Sequence, residues 1–115
     1  MSYHVEISEQ AEADLRDIYE YIAFTLLAPE NASGQLERLE KMIMGLDKMP
    51  ERFKKYEKEP WDSRGLRSVS VDNFSIFYIP SEEDRVVTII RVIYSGRDIE
   101  QELQEHTSIG NLNGK

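Results

Sequence analysis

The 115-residue sequence contains no cysteine, so it can form neither a disulfide nor a thiolate metal site. It also has no apolar run close to the roughly 20 residues that a membrane-spanning helix needs. The opening stretch MSYHVEIS is too polar for the apolar segment of a signal peptide. From these absences we expect a soluble cytoplasmic protein with no membrane contact. The length suggests a single domain with one core.

Residues that bind metals or nucleotides are scarce as well. The two histidines, His4 and His106, lie near opposite ends of the chain and fit neither a metal-ligand spacing nor a nucleophile triad. No glycine-rich phosphate loop occurs. We therefore predict that the protein needs no metal and no other cofactor.

Negative charge dominates, since 22 acidic and 14 basic residues give a net charge of −8. A uniformly acidic surface would repel nucleic acid. The charge is uneven, however: residues 1–51 hold 4 basic and 11 acidic residues, whereas residues 52–67 hold 6 basic and 3 acidic ones. Three arginines follow in the later part of the chain, Arg85, Arg91 and Arg97. A local cationic surface is therefore compatible with the acidic total.

Helical periodicity dominates the first half of the chain. Residues 2–7 alternate as a short strand, and Ser8 is placed to cap a first helix that runs to about residue 26. Pro29 suits the first turn of a second helix, which Pro50 ends. Two helices joined by a few residues pack antiparallel as a hairpin. The acidic residues of the first helix are interpreted as its solvated face: Glu12, Asp14, Asp17 and Glu20.

Strand patterns dominate the second half. The predicted strands cover residues 66–71, 74–79 and 86–94. Consecutive strands with tight turns form an antiparallel meander, and a short last helix follows to about Gln104. The sequence thus predicts an α+β fold: an N-terminal strand, a helical hairpin on one face of a three- to four-stranded, mainly antiparallel sheet, and a short C-terminal helix. We expect residues 1–106 to form this single domain and residues 107–115 to be a flexible tail.

The last strand pattern, VVTIIRVIY, carries a permanent charge at its centre. Side chains alternate between the faces of a strand, so Arg91 shares a face with Ile89 and Ile93. Leaving a buried arginine unpaired would cost about 3–5 kcal/mol. We therefore expect Arg91 on or beside the sheet face that the helices leave free, either wet or covered by a partner's carboxylate. In the alternative, it pairs inside the protein with an acid such as Asp72 and is only structural.

Cations and aromatics around the predicted sheet form the candidate binding site. The candidates are Arg67, Tyr78, Arg91, Tyr94 and Arg97. Arginine binds carboxylate or phosphate through two parallel hydrogen bonds, so partner binding and structural ion pairing stay equally open for the three arginines. Lys54 and Lys55 are interpreted as ordinary surface charge, and Trp61 as a packed anchor of its loop.

Five segments of the chain, taken together, indicate a known protein family. They are YHVEISEQAEADLRDIYEYI (3–22), PENA (29–32), RGLRSV (64–69), IFYIP (76–80) and IIRVIYSGRD (89–98). Together they resemble the ParE/RelE superfamily of toxins from bacterial type II toxin–antitoxin systems, which includes plasmid-stabilisation proteins. The resemblance covers about residues 3–103, and the order of the segments is more specific than any one of them. It implies a helical hairpin packed on an antiparallel sheet.

The resemblance implies one of two activities. RelE-like members cleave mRNA on the ribosome without metal, and that branch usually carries an arginine near the position of Ser75. ParE-like members inhibit DNA gyrase. Ser75 and the acidic total favour a growth-arresting gyrase inhibitor rather than an enzyme. The first alternative is a RelE-like ribonuclease that acts on the ribosome and mRNA, and the second is a non-toxic binding homologue. If the protein is a ribonuclease, the catalytic candidates are Arg67, Arg91, Tyr94 and Arg97.

The resemblance also implies a protein partner. In this family the C-terminal segment of a cognate antitoxin, usually encoded by the adjacent gene, wraps over the toxin and blocks it. An antitoxin carboxylate that meets Arg67, Arg91 or Arg97 would satisfy those charges. The same cations would meet the target once the antitoxin is degraded.

Overall fold

The computed structural model describes residues 2–106, so the tail predicted for residues 107–115 lies outside the described residues. Along the chain the elements are β1 (His4–Ile7), α1 (Glu9–Glu20), a π-helical turn (Tyr21–Thr25), α2 (Pro29–Gly45), a 3₁₀ turn (Pro50–Arg52), β2 (Arg67–Val71), β3 (Phe74–Ser81), β4 (Val86–Tyr94) and α3 (Ile99–His106). Over the described part of the chain, no helix is long and apolar enough to cross a bilayer.

The four strands form one sheet in the order β1-β4-β3-β2. β2, β3 and β4 pair antiparallel as a meander, whereas β1 lies parallel to β4. Parallel neighbours need a long connection between them, and the helical hairpin with the first two meander strands supplies it. The predicted α+β fold with a mainly antiparallel sheet is confirmed.

Local sequence sets where both helices begin. Ser8 has extended backbone angles, and its hydroxyl accepts a hydrogen bond from the N–H of Ala11 at 3.0 Å, so it caps α1 as predicted. Pro29 is the first residue of α2, a position where its missing N–H costs nothing. The end of the first helix differs from the prediction of one helix to about residue 26. The α-helix stops at Glu20 and continues as the π-helical turn.

The main core lies between the helical hairpin and the sheet. Its largest fully buried side chains are Leu39, Ile43, Leu46, Ile76, Tyr78, Val87 and Ile89. Burying one such side chain stabilises the fold by about 1.5–3 kcal/mol. The periodic apolar stripe of α2 and the alternating apolar residues of β3 and β4 therefore account for most of the attraction between the two layers.

The opposite face of the sheet is covered by the protein itself. A second cluster consists of Trp61, Leu66, Phe77, Ile90, Ile93 and Leu103. Trp61 anchors the irregular loop before β2, as predicted, and Leu103 brings in α3. The expectation of a sheet face left free for a partner is therefore wrong, because the loop and α3 supply a second apolar layer.

An irregularity in β4 changes which side chains share a face. Neighbouring residues of β3 pair with Ile89 and Arg91, so Ile90 is the extra residue of a β-bulge. Strict alternation predicts Ile89 and Ile93 on one face. The bulge instead leaves Ile89 in the main core and Ile93 in the second cluster. The predicted facing is wrong beyond this point because the inserted residue reverses the alternation.

Candidate functional site

The edge of β4 is covered by two different elements. β1 pairs with β4 only as far as Ile7, which lies opposite Ile89. Beyond that point α1 covers the edge: a carboxylate oxygen of Asp14 accepts the backbone N–H of Val92 at 2.9 Å. A helix side chain thus supplies a hydrogen bond that a neighbouring strand would otherwise make.

Arg91 lies at this edge and is paired inside the protein. Its Nε and Nη2 donate to the two carboxylate oxygens of Asp14 at 2.7 and 3.0 Å. Its Nη1 donates to the backbone carbonyl of Glu102 at 3.0 Å, and its Nη2 lies 3.4 Å from the carboxylate of the same residue. The side chains of Arg91 and Asp14 are only 6% and 10% exposed. The two-pronged geometry and the added hydrogen bonds offset the cost of burying both charges.

These contacts correct the expectation that Arg91 faces water or a partner. The alternative, that Arg91 forms an ion pair inside the protein, is correct, but its acidic partner is Asp14 rather than Asp72. Asp72, in the turn between β2 and β3, instead accepts hydrogen bonds from Arg38 at 2.7 Å and Gln35 at 2.9 Å. These two donors, Arg38 first, hold the pKa of the Asp72 carboxyl below its usual value. Asp72 therefore ties the turn to α2.

The interpretation of Asp14 as part of a solvated face is wrong, because its side chain is buried beside Arg91. The other three acids of that set are exposed. A signal was present in the sequence: Asp14 follows Ala11 by three residues and precedes Ile18 by four, which places it on the apolar stripe of α1. A carboxylate on such a stripe, in a chain whose sheet carries a central arginine, is the pattern of a buried ion pair.

Arg67 and Tyr78 are held by the loop around the 3₁₀ turn. Nη1 of Arg67 donates to the carbonyls of Glu51 and Phe53 at 3.1 and 2.7 Å, and the residue is half-buried. The hydroxyl of Tyr78 donates to the carbonyl of Pro50 at 2.7 Å, and the whole residue is buried. Burial raises the pKa of Tyr78 to about 12. Tyr78 therefore cannot contact a partner while the core is intact.

Tyr94 and Arg97 lie at the end of β4 and just beyond it, and both are exposed. The ring of Tyr94 packs edge-on against that of Phe74 with the centroids 5.8 Å apart, and the residue is 49% exposed. Gly96 makes this ring position available, because a Cβ there would collide with the ring. Arg97 lies 3.3 Å from the carboxylate of Glu102, with 63% of its side chain exposed. These two candidates can reach a partner.

The basic segment before β2 is partly neutralised by neighbouring acids. Lys55 forms an ion pair with Asp62 at 3.3 Å, and Lys58 forms one with Glu100 at 3.6 Å. Pairs as exposed as these contribute little to stability. They agree with the interpretation of Lys55 as ordinary surface charge.

A cleft of about 1190 Å³ opens between the end of the first helix and the end of β4. Its exposed lining residues include Asp17, Glu20, Tyr21, Phe24, Leu26, Tyr94 and Arg97. The buried Arg91–Asp14 pair lies at its inner surface. The exposed candidates Tyr94 and Arg97 therefore line the same cleft as helix residues that the sequence patterns do not indicate. Two of these helix residues, Tyr21 and Phe24, belong to the π-helical turn, which the regular helical periodicity does not predict.

The composition of the cleft suits binding of another molecule. Among residues 2–106, no cluster of three or more histidines, cysteines or acids could hold a metal ion. None of the described lining residues is a histidine, and His4 lies elsewhere, 71% exposed beside Glu6. Aromatic and aliphatic side chains next to a few charges are the usual content of protein-binding surfaces.

The chain matches one family model over most of its length. Residues 5–99 fit the model of the ParE toxin of the type II toxin–antitoxin system parDE. No curated protein sequence matches the chain.

Solved toxin structures share the fold. One belongs to the chromosomal ParDE toxin–antitoxin system of P. aeruginosa: it is 20% identical, the match covers 81% of this chain and 96% of that one, and the TM-score is 0.66. A mutant of the E. coli toxin RelE in the free state is 18% identical, with coverage of 92% and 95% and a TM-score of 0.63. A RelBE complex from Mycobacterium tuberculosis is 20% identical, with coverage of 82% and 99% and a TM-score of 0.59. Because the family model spans residues 5–99 and the fold agrees, this chain belongs to the ParE toxin family of type II toxin–antitoxin systems.

Proposed function

We propose that this toxin arrests growth by inhibiting DNA gyrase in the cytoplasm and that a cognate antitoxin neutralises it. The observation that carries the proposal is the state of Arg91, whose guanidinium is bound by Asp14 and Glu102. A buried cation with internal acidic partners is not presented to a phosphate group. Arg91, a ribonuclease candidate at the centre of β4, is therefore not available to bind RNA.

The other ribonuclease candidates support the same choice. Nη1 of Arg67 donates to two backbone carbonyls. Ser75, where the ribonuclease branch usually carries arginine, has its hydroxyl 3.2 Å from that of Ser95. Affinity for RNA grows with the number of phosphates that cations neutralise. A chain with a net charge of −8 and few available cations on the sheet starts at a disadvantage there.

A protein target suits the two candidates that remain exposed. Tyrosine and arginine are enriched among the residues that dominate protein–protein binding energy. Tyr94 and Arg97 are exposed, lie three residues apart and line the same cleft. We assign target binding to this pair, with the half-buried Arg67 on the edge strand β2 as a further contact.

Complexes of structurally similar toxins with their antitoxins support an antitoxin as the partner. Structures similar to this chain include the RelBE complex from Mycobacterium tuberculosis and an archaeal RelE–RelB complex from Pyrococcus horikoshii. We propose that the antitoxin of this chain is encoded by the adjacent gene and that it covers the cleft, which would hide Tyr94 and Arg97 from the target.

The test compares two activities of the purified toxin: inhibition of plasmid supercoiling by DNA gyrase, and cleavage of ribosome-bound mRNA. We expect gyrase inhibition without cleavage. The double variant Tyr94→Ala/Arg97→Ala should lose both the inhibition and the growth arrest while it unfolds near the wild-type midpoint. Arg64→Ala is the matched control, because Arg64 is an exposed arginine outside the cleft. This control should inhibit gyrase as the wild type does.

Two outcomes would replace the proposal. Codon-phased cleavage of mRNA with gyrase unaffected would identify the protein as a RelE-like ribonuclease. Normal growth on expression without antitoxin, together with unaffected gyrase in vitro, would identify it as a non-toxic binding homologue.

A further inference from the structure

The tip of the helical hairpin exposes apolar side chains to the cleft. Tyr21 is 55% exposed, Phe24 69% and Leu26 54%, and all three line the cleft. We call these three residues the tip patch. A contiguous group of exposed apolar side chains, bordered by polar ones, marks an interaction surface.

The backbone beneath the tip patch departs from a regular helix. Tyr21–Thr25 form a π-helical turn, in which the N–H of Leu26 bonds to the carbonyl of Tyr21 at 3.0 Å. Leu27 follows with φ +56°, in the left-handed region that side chains disfavour, and is 80% exposed. Single π-helical turns and left-handed residues other than glycine concentrate at functional sites. The backbone is thus a second sign, independent of exposure, that the tip contacts a partner.

The charge beside the tip patch is negative and uncompensated. Asp17 and Glu20 are exposed, and neither forms an ion pair with any described residue. They lie in the last turn of α1, which contains no basic residue. The arginines that line the cleft, Arg91 and Arg97, already pair with other acids. A cation at this end of the cleft would therefore meet two carboxylates that no described residue neutralises.

We propose that the cleft binds a cationic, amphipathic segment of the antitoxin, with its apolar side chains on the tip patch and a lysine or arginine between Asp17 and Glu20. The identity of the partner rests on the proposed function; the chemistry of the segment rests on the cleft. Nucleic acid is a poor occupant, because its phosphates would meet two carboxylates that no described cation neutralises. A second copy is a poor occupant too, because a twofold contact through the same patch would bring the acids of both copies together.

The first experiment uses two synthetic amphipathic peptides with the same leucine pattern, one with lysine and the other with glutamate at every polar position. The lysine peptide should bind the full chain and shift the NMR signals of Tyr21 and Phe24, whereas the glutamate peptide should not. Asp17→Asn/Glu20→Gln should weaken binding of the lysine peptide about tenfold at low salt and reduce its dependence on salt. Glutamate-peptide binding at least as tight as lysine-peptide binding would overturn the proposal.

A matched control separates the cleft from the general acidity of the chain. Glu30→Gln/Glu37→Gln removes two exposed charges of α2 that do not line the cleft. This variant should bind the lysine peptide as the wild type does. If both double variants weaken binding equally, the lysine peptide senses only the net charge, and the proposed site is wrong.

The second experiment measures the affinity of the cognate antitoxin for the full chain. Phe24→Ser should weaken binding about 100-fold, because a truncated aromatic anchor has that order of effect. Met44→Ser is its control, since Met44 is 58% exposed on α2 outside the cleft, and it should bind normally. Equal affinity for wild type and Phe24→Ser would refute the cleft site and leave the toxin assignment standing. An antitoxin that fails to bind the wild type would instead refute the proposed partner.

Discussion

Arg91 and Arg97 are close in sequence and occupy opposite environments. Both interact with Glu102, yet the side chain of Arg91 is 6% exposed and that of Arg97 is 63% exposed. Arg91 lies at a closed junction where α1, β4 and α3 meet, and Arg97 lies on the open rim of the cleft. The acids around each arginine, rather than its residue type or its place in the motif, decide whether it holds the fold together or can bind a partner.

The same contrast separates two tyrosines of the sheet. Tyr78 is fully buried and donates to the Pro50 carbonyl, whereas Tyr94 is 49% exposed on the rim of the cleft. The buried interior and the rim can therefore be compared through two pairs of like residues. If the comparison is right, changes at the buried members, Arg91 and Tyr78, act on stability, and changes at the rim members, Arg97 and Tyr94, act on binding.

Arg91→Ala should have the largest effect on stability. It leaves Asp14 buried without its cation, which costs about 3–5 kcal/mol of the free energy of unfolding. Urea unfolding of the purified variant measures this loss. The double variant Arg91→Ala/Asp14→Ala should lose less than the sum of the single variants, because the two groups interact directly. Additive losses, or a wild-type midpoint for Arg91→Ala, would break the distinction between junction and rim.

Tyr78→Phe should have the next largest effect, and it should depend on pH. At neutral pH the variant leaves the Pro50 carbonyl without its donor, at a cost of about 1–3 kcal/mol. In the wild type the folded pKa of about 12 lies above the ordinary value of 10.0, so this contribution to stability is complete below pH 10 and is lost as the pH rises towards 12. The shift corresponds to about 3 kcal/mol. Tyr94→Phe is the control.

Unfolding curves measured between pH 9 and 12 check this prediction. The wild type and Tyr94→Phe should lose stability steeply over that range, and Tyr78→Phe should lose much less. Equal slopes for all three proteins would mean that Tyr78 does not stay protonated in the core.

Asp72→Asn should have a smaller effect, which disappears in strong acid. Hydrogen bonds from Arg38 and then Gln35 lower the pKa of the folded-state carboxyl, so its contribution is present above the ordinary value of 3.8 and is lost as the pH falls through the lowered pKa. The variant should be less stable than the wild type near pH 6 and similar to it in strong acid. Thermal unfolding at a series of pH values measures the difference; a gap that stays constant down to strong acid would contradict the assignment.

Arg97→Ala should have the smallest effect on stability. Its ion pair with Glu102 is exposed on the arginine side, and such pairs contribute about 0.2–1 kcal/mol. Urea unfolding should therefore give nearly the wild-type midpoint, while target inhibition falls. A loss of stability comparable to that of Arg91→Ala would show that Arg97 belongs to the junction and not to the rim.

Most of the fold follows from patterns in the sequence. Periodicity of four and three residues marks both helices, alternation marks the strands, and Ser8 and Pro29 fix the two helix starts. Each of these signals depends only on neighbouring residues, and the packed structure keeps the helices and strands that they predict. The parallel pairing of β1 with β4 is a matter of long-range topology, which the short alternating pattern of residues 2–7 does not carry.

The geometry of the candidate site does not follow from the sequence patterns, because it depends on two local irregularities. The bulge at Ile90 reverses the facing of β4 by inserting a single residue, and no proline or glycine marks it in the sequence. The π-helical turn adds one residue to a helical turn and so changes which side chains face out after Glu20. The strand pattern that ends at Tyr94 indicates Tyr94 and Arg97 as candidates, but the helical periodicity does not indicate the residues across the cleft from them.

The carboxylate of Asp14 on the N–H of Val92 also bears on how chains can assemble. An unpaired strand edge is a template on which another chain can add a strand and begin a fibre. At β4 that template is closed beyond Ile89, because a new strand would have to displace a carboxylate that also neutralises Arg91. The strands left at the outer edges of the sheet are β1 and β2, which are four and five residues long. At β2, Lys55 bridges Arg67 and covers the start of the strand, so that edge offers an incoming chain little more than its last few residues.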